Sequence, residues 1–251
     1  MTQHTIKQGL LGRMGYNVNM LVGTRVLFPE EVNRWDAEFL QITVYRSMKN
    51  NIMKMKDCVR LCRKRGIRYV IHPVGYFLQD KAMHEELRLM AELSDLALIL
   101  HDEKTFEDGR LSGETGTDFR ETVRELGSVS RVSFENAVDT SDVRWFWDNF
   151  AESITLDIGH VEAVGLDSID FVKSLDEKTI NKIDYVHIHR NNGWHGGLTD
   201  HWPLIGDCRE IFALETLLKI KTDIGVILEI NETEMTGESL ELLRELRDKL
   251  T

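Results

Sequence analysis

The sequence predicts an α/β protein, a (β/α)8 TIM barrel formed by residues 1–251 as a single domain. Three observations carry this expectation. About eight short apolar runs recur along the 251 residues. Most of them are followed by a longer amphipathic stretch, the alternation of a parallel sheet with outer helices. No Gly-rich phosphate turn follows an early strand, as a doubly wound open sheet would normally require. The nearest candidate, GLLGRMG, precedes the first expected strand instead of following it.

The elements are expected in this order. GRMGYNVN (12–19) reads as the first strand and FLQITVYR (39–46) as the second. NIMKMKDCVRLCRKRG (51–66) has helical spacing and stops at Gly66, a residue suited to close a helix. IRYVIHPV (67–74) is a strand, KAMHEELRLMAEL (81–93) a helix and LALILHD (96–102) a strand. A polar loop holding Gly109, Gly113 and Gly116 leads to a helix at DFRETVREL (118–126). SRVSFENA (130–137), ITLDIGH (154–160), DYVHIHR (184–190) and DIGVILEI (223–230) complete the strands, and ESLELLRELRDKL (238–250) is the closing helix.

Composition narrows the function classes. With 42% hydrophobic and 29% charged residues the chain is ordinary globular material. A formal net charge of −11 disfavours nucleic acid or an anionic membrane as a partner. Cys58, Cys62 and Cys208 form no disulfide framework, and the helical spacing of the first two points to packing. No apolar run approaches spanning length, so a cytoplasmic protein without a membrane partner is expected. Trp145 and Trp147 are expected to pack a helix on the barrel, and His84 to face solvent.

The strands turn polar at their C-terminal ends. His72, His101, Glu135, Asp157 with His160, His187 with His189, and Glu229 all fall there. In a barrel, that end is where residues from different strands converge on an active site. Carboxylates gathered without a cation would repel one another and resist desolvation. A divalent ion held by mixed His, Asp and Glu ligands resolves the conflict, and no cysteine at these positions suggests a thiolate site.

Five motifs then occur in a telling order: FENA at Glu135, LDIGHVEAVG at Asp157, VHIHRNNG at His187, HWPLIGD at His201 and VILEIN at Glu229. Together they resemble the xylose-isomerase-like TIM-barrel superfamily, which includes sugar-phosphate isomerases and epimerases and the type-IV AP endonucleases (family 2). The resemblance implies a metal held by Glu135, Asp157, His187 and Glu229, with Glu135 and Glu229 also moving protons. It further implies that His72, His101, His160 and His201 are additional metal ligands or substrate contacts, with Asp200 as a further partner. Manganese or zinc is the implied cofactor, as one to three ions. Three departures stand out: Arg190 occupies an acidic position, HWPLIGD stands for HLPLGEG, and Asp200 directly precedes His201.

The implied chemistry is isomerisation or epimerisation of a small carbohydrate. The cation polarises the carbonyl of a hydroxy-ketone, while Glu135 and Glu229 remove and return the α-proton. His160, His189, Arg190 and Trp202 are candidate substrate contacts. The alternative is a phosphodiesterase acting on abasic DNA with two or three ions, although the loop HDEKTFEDGRLSGETGTDF is net acidic. A barrel that binds a small molecule without turnover is the third reading. In the histidine-rich stretch after the seventh strand, His195 is the weakest candidate and His201 depends on the number of ions.

Overall fold

The computed structural model describes residues 18–103, 111, 113–138, 140–191, 200–231 and 234–251. Eight parallel strands close into a barrel in chain order: β1 Asn19–Val26, β2 Phe39–Tyr45, β3 Arg68–Val74, β4 Leu98–His101, β5 Val132–Glu135, β6 Ser153–Asp157, β7 Ile183–Ile188 and β8 Asp223–Leu228. β8 returns to pair with β1, so no edge is left open. The expected (β/α)8 class is therefore the observed one. The helices among the described residues are α1 Asn51–Arg65, α2 His84–Leu93, α3 Gly113–Gly127, α4 Val143–Phe150, α5 Ile158–Ala163, α6 Ser168–Lys173, α7 Glu177–Lys182, α8 Arg209–Leu218 and α9 Thr236–Leu250. None is long and apolar enough to cross a membrane.

Strand alternation sorts side chains into two cores. Outward positions such as Val22, Leu40, Ile71, Leu100, Phe134, Leu156, Val186 and Val226 join the helices in the larger cluster. Phe39, Val70, Ala97, Ile99, Tyr185 and Ile227 face inward and plug the barrel. Two residues further along the strands the interior becomes polar, with Gln41, Thr43, His72, Glu135, Asp157, His187 and Glu229 all buried. The plug is thus a floor, and the polar layer sits on it at the C-terminal end.

Two strand expectations need correction. Residues 12–17 lie outside the described region, and of the expected first strand only Asn19 belongs to β1. NMLVGTRV is the strand. Its inward positions from the middle onward are Gly23 and Arg25, which hide the apolar alternation. Gly23 is small because a Cβ there would lie 2.7 Å from the Phe39 ring. ITLDIGH is also not one strand: β6 ends at Asp157, which caps α5 by accepting the His160 N–H at 2.7 Å. His160 therefore sits in a helical turn above the strand end.

α1 ends at Gly66, whose φ of 69° is the left-handed closure that the sequence indicates. All three cysteines are buried and free. Trp147 is buried and Trp145 half-buried, packing α4 onto the barrel. His84 is half-buried, not free in solvent; its Nε2 meets the Leu78 carbonyl at 2.6 Å. The end of β4 fastens both neighbouring loops. Asp102 accepts the Ala137 and Val138 N–H groups at 2.7 and 2.6 Å, and Glu103 accepts those of Leu78 and Gln79.

Candidate active site

Strand register brings the strand-end residues side by side. His101 pairs in register with Glu135, and Asp157 with His187. Ligand atoms of Glu135, Asp157, His187 and Glu229 all lie within 4.8 Å of one another. His187 Nδ1 is 3.2 Å from Glu135 Oε2, 3.6 Å from Glu229 Oε2 and 3.9 Å from Asp157 Oδ2. A divalent ion at about 2.1 Å from N and O ligands spaces adjacent ligand atoms roughly 3–3.5 Å apart.

The unsatisfied atoms make the same point. Glu135 Oε1 and Oε2, Asp157 Oδ2 and His187 Nδ1 are buried without a hydrogen-bond partner. Buried polar atoms are normally satisfied, so a concentration of bare ones in a single cavity calls for a ligand. Bare carboxylate oxygens and an imidazole nitrogen are the donor set of a hard or borderline divalent cation. The four residues fit such an ion.

Asp157, Glu229 and His187 are also held from behind. Asp157 Oδ1 takes the His160 N–H while Oδ2 stays bare, and its backbone N–H is bound by Asn136 Oδ1 at 2.7 Å. Asn136 Nδ2 returns to the Asp157 carbonyl at 2.9 Å. Glu229 Oε1 accepts from Gln41 Nε2, and His187 Nε2 lies 2.7 Å from Gln41 Oε1. Neither Asn136 nor Gln41 is singled out by the sequence. For Gln41, the usable signal is an amide at an inward position of the apolar run FLQITVY.

The remaining histidines differ in which nitrogen is engaged. His72 Nδ1 faces the Ile99 carbonyl at 3.0 Å, leaving Nε2 3.4 Å from Glu135 Oε2. His201 Nδ1 faces the Glu229 carbonyl at 2.8 Å. Both therefore donate from Nδ1 and present Nε2, the usual arrangement of a metal-ligating imidazole. His189 is the reverse: its Nδ1 accepts the His201 N–H at 2.9 Å, so Nε2 carries the proton, 3.3 Å from Asp157 Oδ1. His160 Nδ1 sits within 3.4 Å of Glu135 Oε1, Asp157 Oδ2 and the Asn136 carbonyl. Three further groups overlap or flank the central four: His72 with His101 and Glu135, His72 with His187 and Glu229, and His160 with His189 and His201.

Electrostatics separates these groups. Burial opposes charge throughout, yet the Asp157 and Glu135 carboxylates push His160 up to about 10, and Glu229 and Glu135 push His187 up to about 9. Burial alone would raise Glu135, Asp157 and Glu229, but the imidazoles beside them hold all three below the usual carboxylate range. His101, 22% exposed, goes the other way: burial, with His72 and His160 nearby, brings it down to about 4 in spite of Glu135. Burial and His189 also lower His201.

The outer candidates lie elsewhere. Arg190 and Trp202 form an antiparallel bridge with N–H to carbonyl distances of 2.9 and 3.0 Å. Arg190 Nε donates to the Pro203 carbonyl, and its side chain lines a groove of about 540 Å³ with Asp167, Asp207, Arg209 and Glu210, apart from the four-residue cluster. Trp202 is 40% exposed. Asp200 Oδ2 approaches His201 Nε2 only to 3.9 Å. His195 lies outside the described residues. Arg25, hidden by the misplaced first strand, stands at the mouth and donates to the Ile230 carbonyl and Asn231 Oδ1.

Neither a protein-family model nor a curated protein matches the chain. Solved structures do. A D-tagatose 3-epimerase-like protein superposes with a TM-score of 0.67 at 19% identity, covering 92% of this chain and 98% of that one. A D-psicose 3-epimerase from Clostridium cellulolyticum H10, solved with D-tagatose, gives 0.53 at 10% identity, covering 92% and 95%. A GH27 β-L-arabinopyranosidase from Geobacillus stearothermophilus, solved with arabinose, gives 0.51 at 11%, covering 92% and 77%. At these identities the likeness is one of fold, the (β/α)8 barrel.

Proposed function

We propose that the chain is a divalent-metal-dependent isomerase or epimerase of a small ketose or related hydroxy-ketone. One observation carries the proposal: two buried glutamates, Glu135 and Glu229, reach the same nitrogen, His187 Nδ1, from strands three apart around the barrel. Both are held ionised by neighbouring imidazoles, so either can accept a proton at neutral pH. A substrate seated between them exposes one face of its α-carbon to each. The ionised glutamate withdraws the α-proton; for inversion the other first takes up a proton from solvent and delivers it to the opposite face, so that the pair ends with the protonation states exchanged. Return from the first glutamate to the neighbouring carbon, with the hydroxyl proton passing to the former carbonyl oxygen, shifts the carbonyl instead. The bound cation would supply Lewis-acid polarisation of the substrate oxygens. Glu135, Asp157, His187 and Glu229 would hold it. His160, charged and beside both Glu135 and Asp157, is placed to donate to a substrate hydroxyl. A D-psicose 3-epimerase and a D-tagatose 3-epimerase-like protein share the fold, which supports a ketose as the substrate class.

The test is solvent-deuterium incorporation into a panel of ketoses by protein loaded with manganese or zinc. Exchange at the carbon next to the carbonyl is the expected result. Its absence across the panel with a loaded site would overturn the proposal.

The flanking histidine groups favour a second reading, a polynuclear phosphodiesterase, because His72 and His201 each present a free Nε2 toward the cavity. Elemental analysis separates the two: about one ion per chain supports the isomerase, two or three the phosphodiesterase.

A further inference from the structure

We infer that Gln41 is a positioning residue for the candidate metal site, fixing which nitrogen of His187 and which oxygen of Glu229 face the cation. This rests on the four-residue cluster holding a metal ion, but not on which reaction follows.

The carboxamide of Gln41 is fully buried on β2, 0% exposed. It reaches across the barrel interior to β7 and to the end of β8. Its three contacts leave one consistent orientation. An ionised carboxylate can only accept, so the atom against Glu229 Oε1 must be the amide nitrogen. The same nitrogen lies 3.2 Å from Thr43 Oγ1, giving its second hydrogen an acceptor. The amide oxygen is then the atom 2.7 Å from His187 Nε2. An amide oxygen can only accept, so His187 Nε2 carries a proton. In a neutral ring that leaves Nδ1 bare, and Nδ1 is the unpartnered atom aimed at Glu135, Asp157 and Glu229.

One side chain thereby sets two ligand atoms. With His187 in the other tautomer, a hydrogen would point at three carboxylates, which favours charge pairing but excludes a cation. With Glu229 Oε1 released, the carboxylate could rotate away from the cluster. Support of this kind behind a ligating imidazole is worth about 10–100-fold in metal affinity. Gln41 acts through His187 and Glu229, and it need not touch substrate.

The test compares the wild-type chain with Gln41→Met, which keeps length and bulk but removes donor and acceptor. Zinc dissociation constants are measured by competition with a chromophoric chelator. Long-range ¹H–¹⁵N correlation in the zinc-loaded protein reports which ring nitrogen of His187 binds and which is protonated. The expected results are Nδ1 bound and Nε2 protonated in the wild type, loss of the protected Nε2–H signal in Gln41→Met, and affinity weaker by about 10–100-fold. Zinc bound through His187 Nε2, or Gln41→Met within twofold of wild type, would overturn the inference alone. A wild-type chain that takes up no zinc overturns the metal site and the inference with it. The wild-type ring assignment needs no variant, so it decides the matter even if Gln41→Met does not fold.

Discussion

Gly159 offers a test of how tightly the site is packed. It lies in the first turn of α5, between the capping Asp157 and His160. A Cβ built on it would fall inside the van der Waals contact of the His189 ring, with Cε1, Nδ1 and Nε2 as its three nearest atoms. The ring cannot simply swing aside. It is fully buried, its Nδ1 is bound by the His201 N–H at 2.9 Å, and it stacks near the His201 ring with centroids 4.2 Å apart. Gly159→Ala should therefore cost roughly 1–3 kcal/mol of overpacking. Against this, alanine is favoured over glycine in a helix by up to about 1 kcal/mol. The net loss is roughly 0–2 kcal/mol, a fall in melting temperature of up to about 8 °C for a domain of this size. In a His189→Ala background the ring is gone and the sign should reverse: Gly159→Ala becomes neutral or stabilising by up to about 1 kcal/mol. Urea unfolding of the four chains in chelator measures the coupling, expected at roughly 1–3 kcal/mol. Additive effects of the two substitutions would refute the packing argument.

Other outcomes follow from the same geometry. Glu135→Gln and Glu229→Gln should each lower deuterium exchange into substrate by about 10²-fold or more, measured at saturating metal so that lost occupancy is not mistaken for lost proton transfer. A cation must displace the proton from His187, which is raised to about 9, while the carboxylates are already ionised. Metal affinity should therefore climb about tenfold per pH unit from roughly pH 6 to 9 and then level off, as titrated by chelator competition. Stability of the metal-free protein should move the opposite way. Raised His187 and His160 bind protons more tightly folded than unfolded, so their contribution is complete below about pH 6.5 and is lost as pH rises through about 9 and 10. Melting temperature should fall over that window. Asp102→Ala removes the acceptor of the N–H groups of half-buried Ala137 and exposed Val138 and should cost roughly 1–2 kcal/mol, with faster amide exchange at both.

What was legible in the sequence follows from which forces act locally. β2 to β5, β7 and β8 were found because each is an apolar run bounded by polar residues, and closing the barrel satisfies those runs without altering them. β1 was missed because an interior ring, Phe39, makes glycine the inward residue at position 23; that requirement comes from another strand. β6 was overrun because Ile158 continues the apolar run of ITLD, although Asp157 followed by a helix-compatible stretch is a capping signal. The four central ligand candidates were named from residue type and motif order, and the structure brings all four together. Gln41 was not named, because an amide within a strand has no meaning until β7 and the end of β8 stand opposite it.

His201 shows how the barrel, rather than the local chain, places the last of these groups. Its φ of 57° is left-handed, an arrangement that costs a non-glycine residue of order 1 kcal/mol or more. Three hydrogen bonds hold it there: its N–H to His189 Nδ1, its carbonyl to the Asn231 N–H at 2.9 Å, and its Nδ1 to the Glu229 carbonyl. Every partner belongs to the end of β7 or β8. Arg190 and Trp202 then bridge the two sides of the segment between. The chain that leaves β7 is thus returned to the barrel at a fixed point, with His201 Nε2 toward the cavity. Substitution of His189 should release His201 itself, because its ring nitrogen holds the backbone against its own conformational preference.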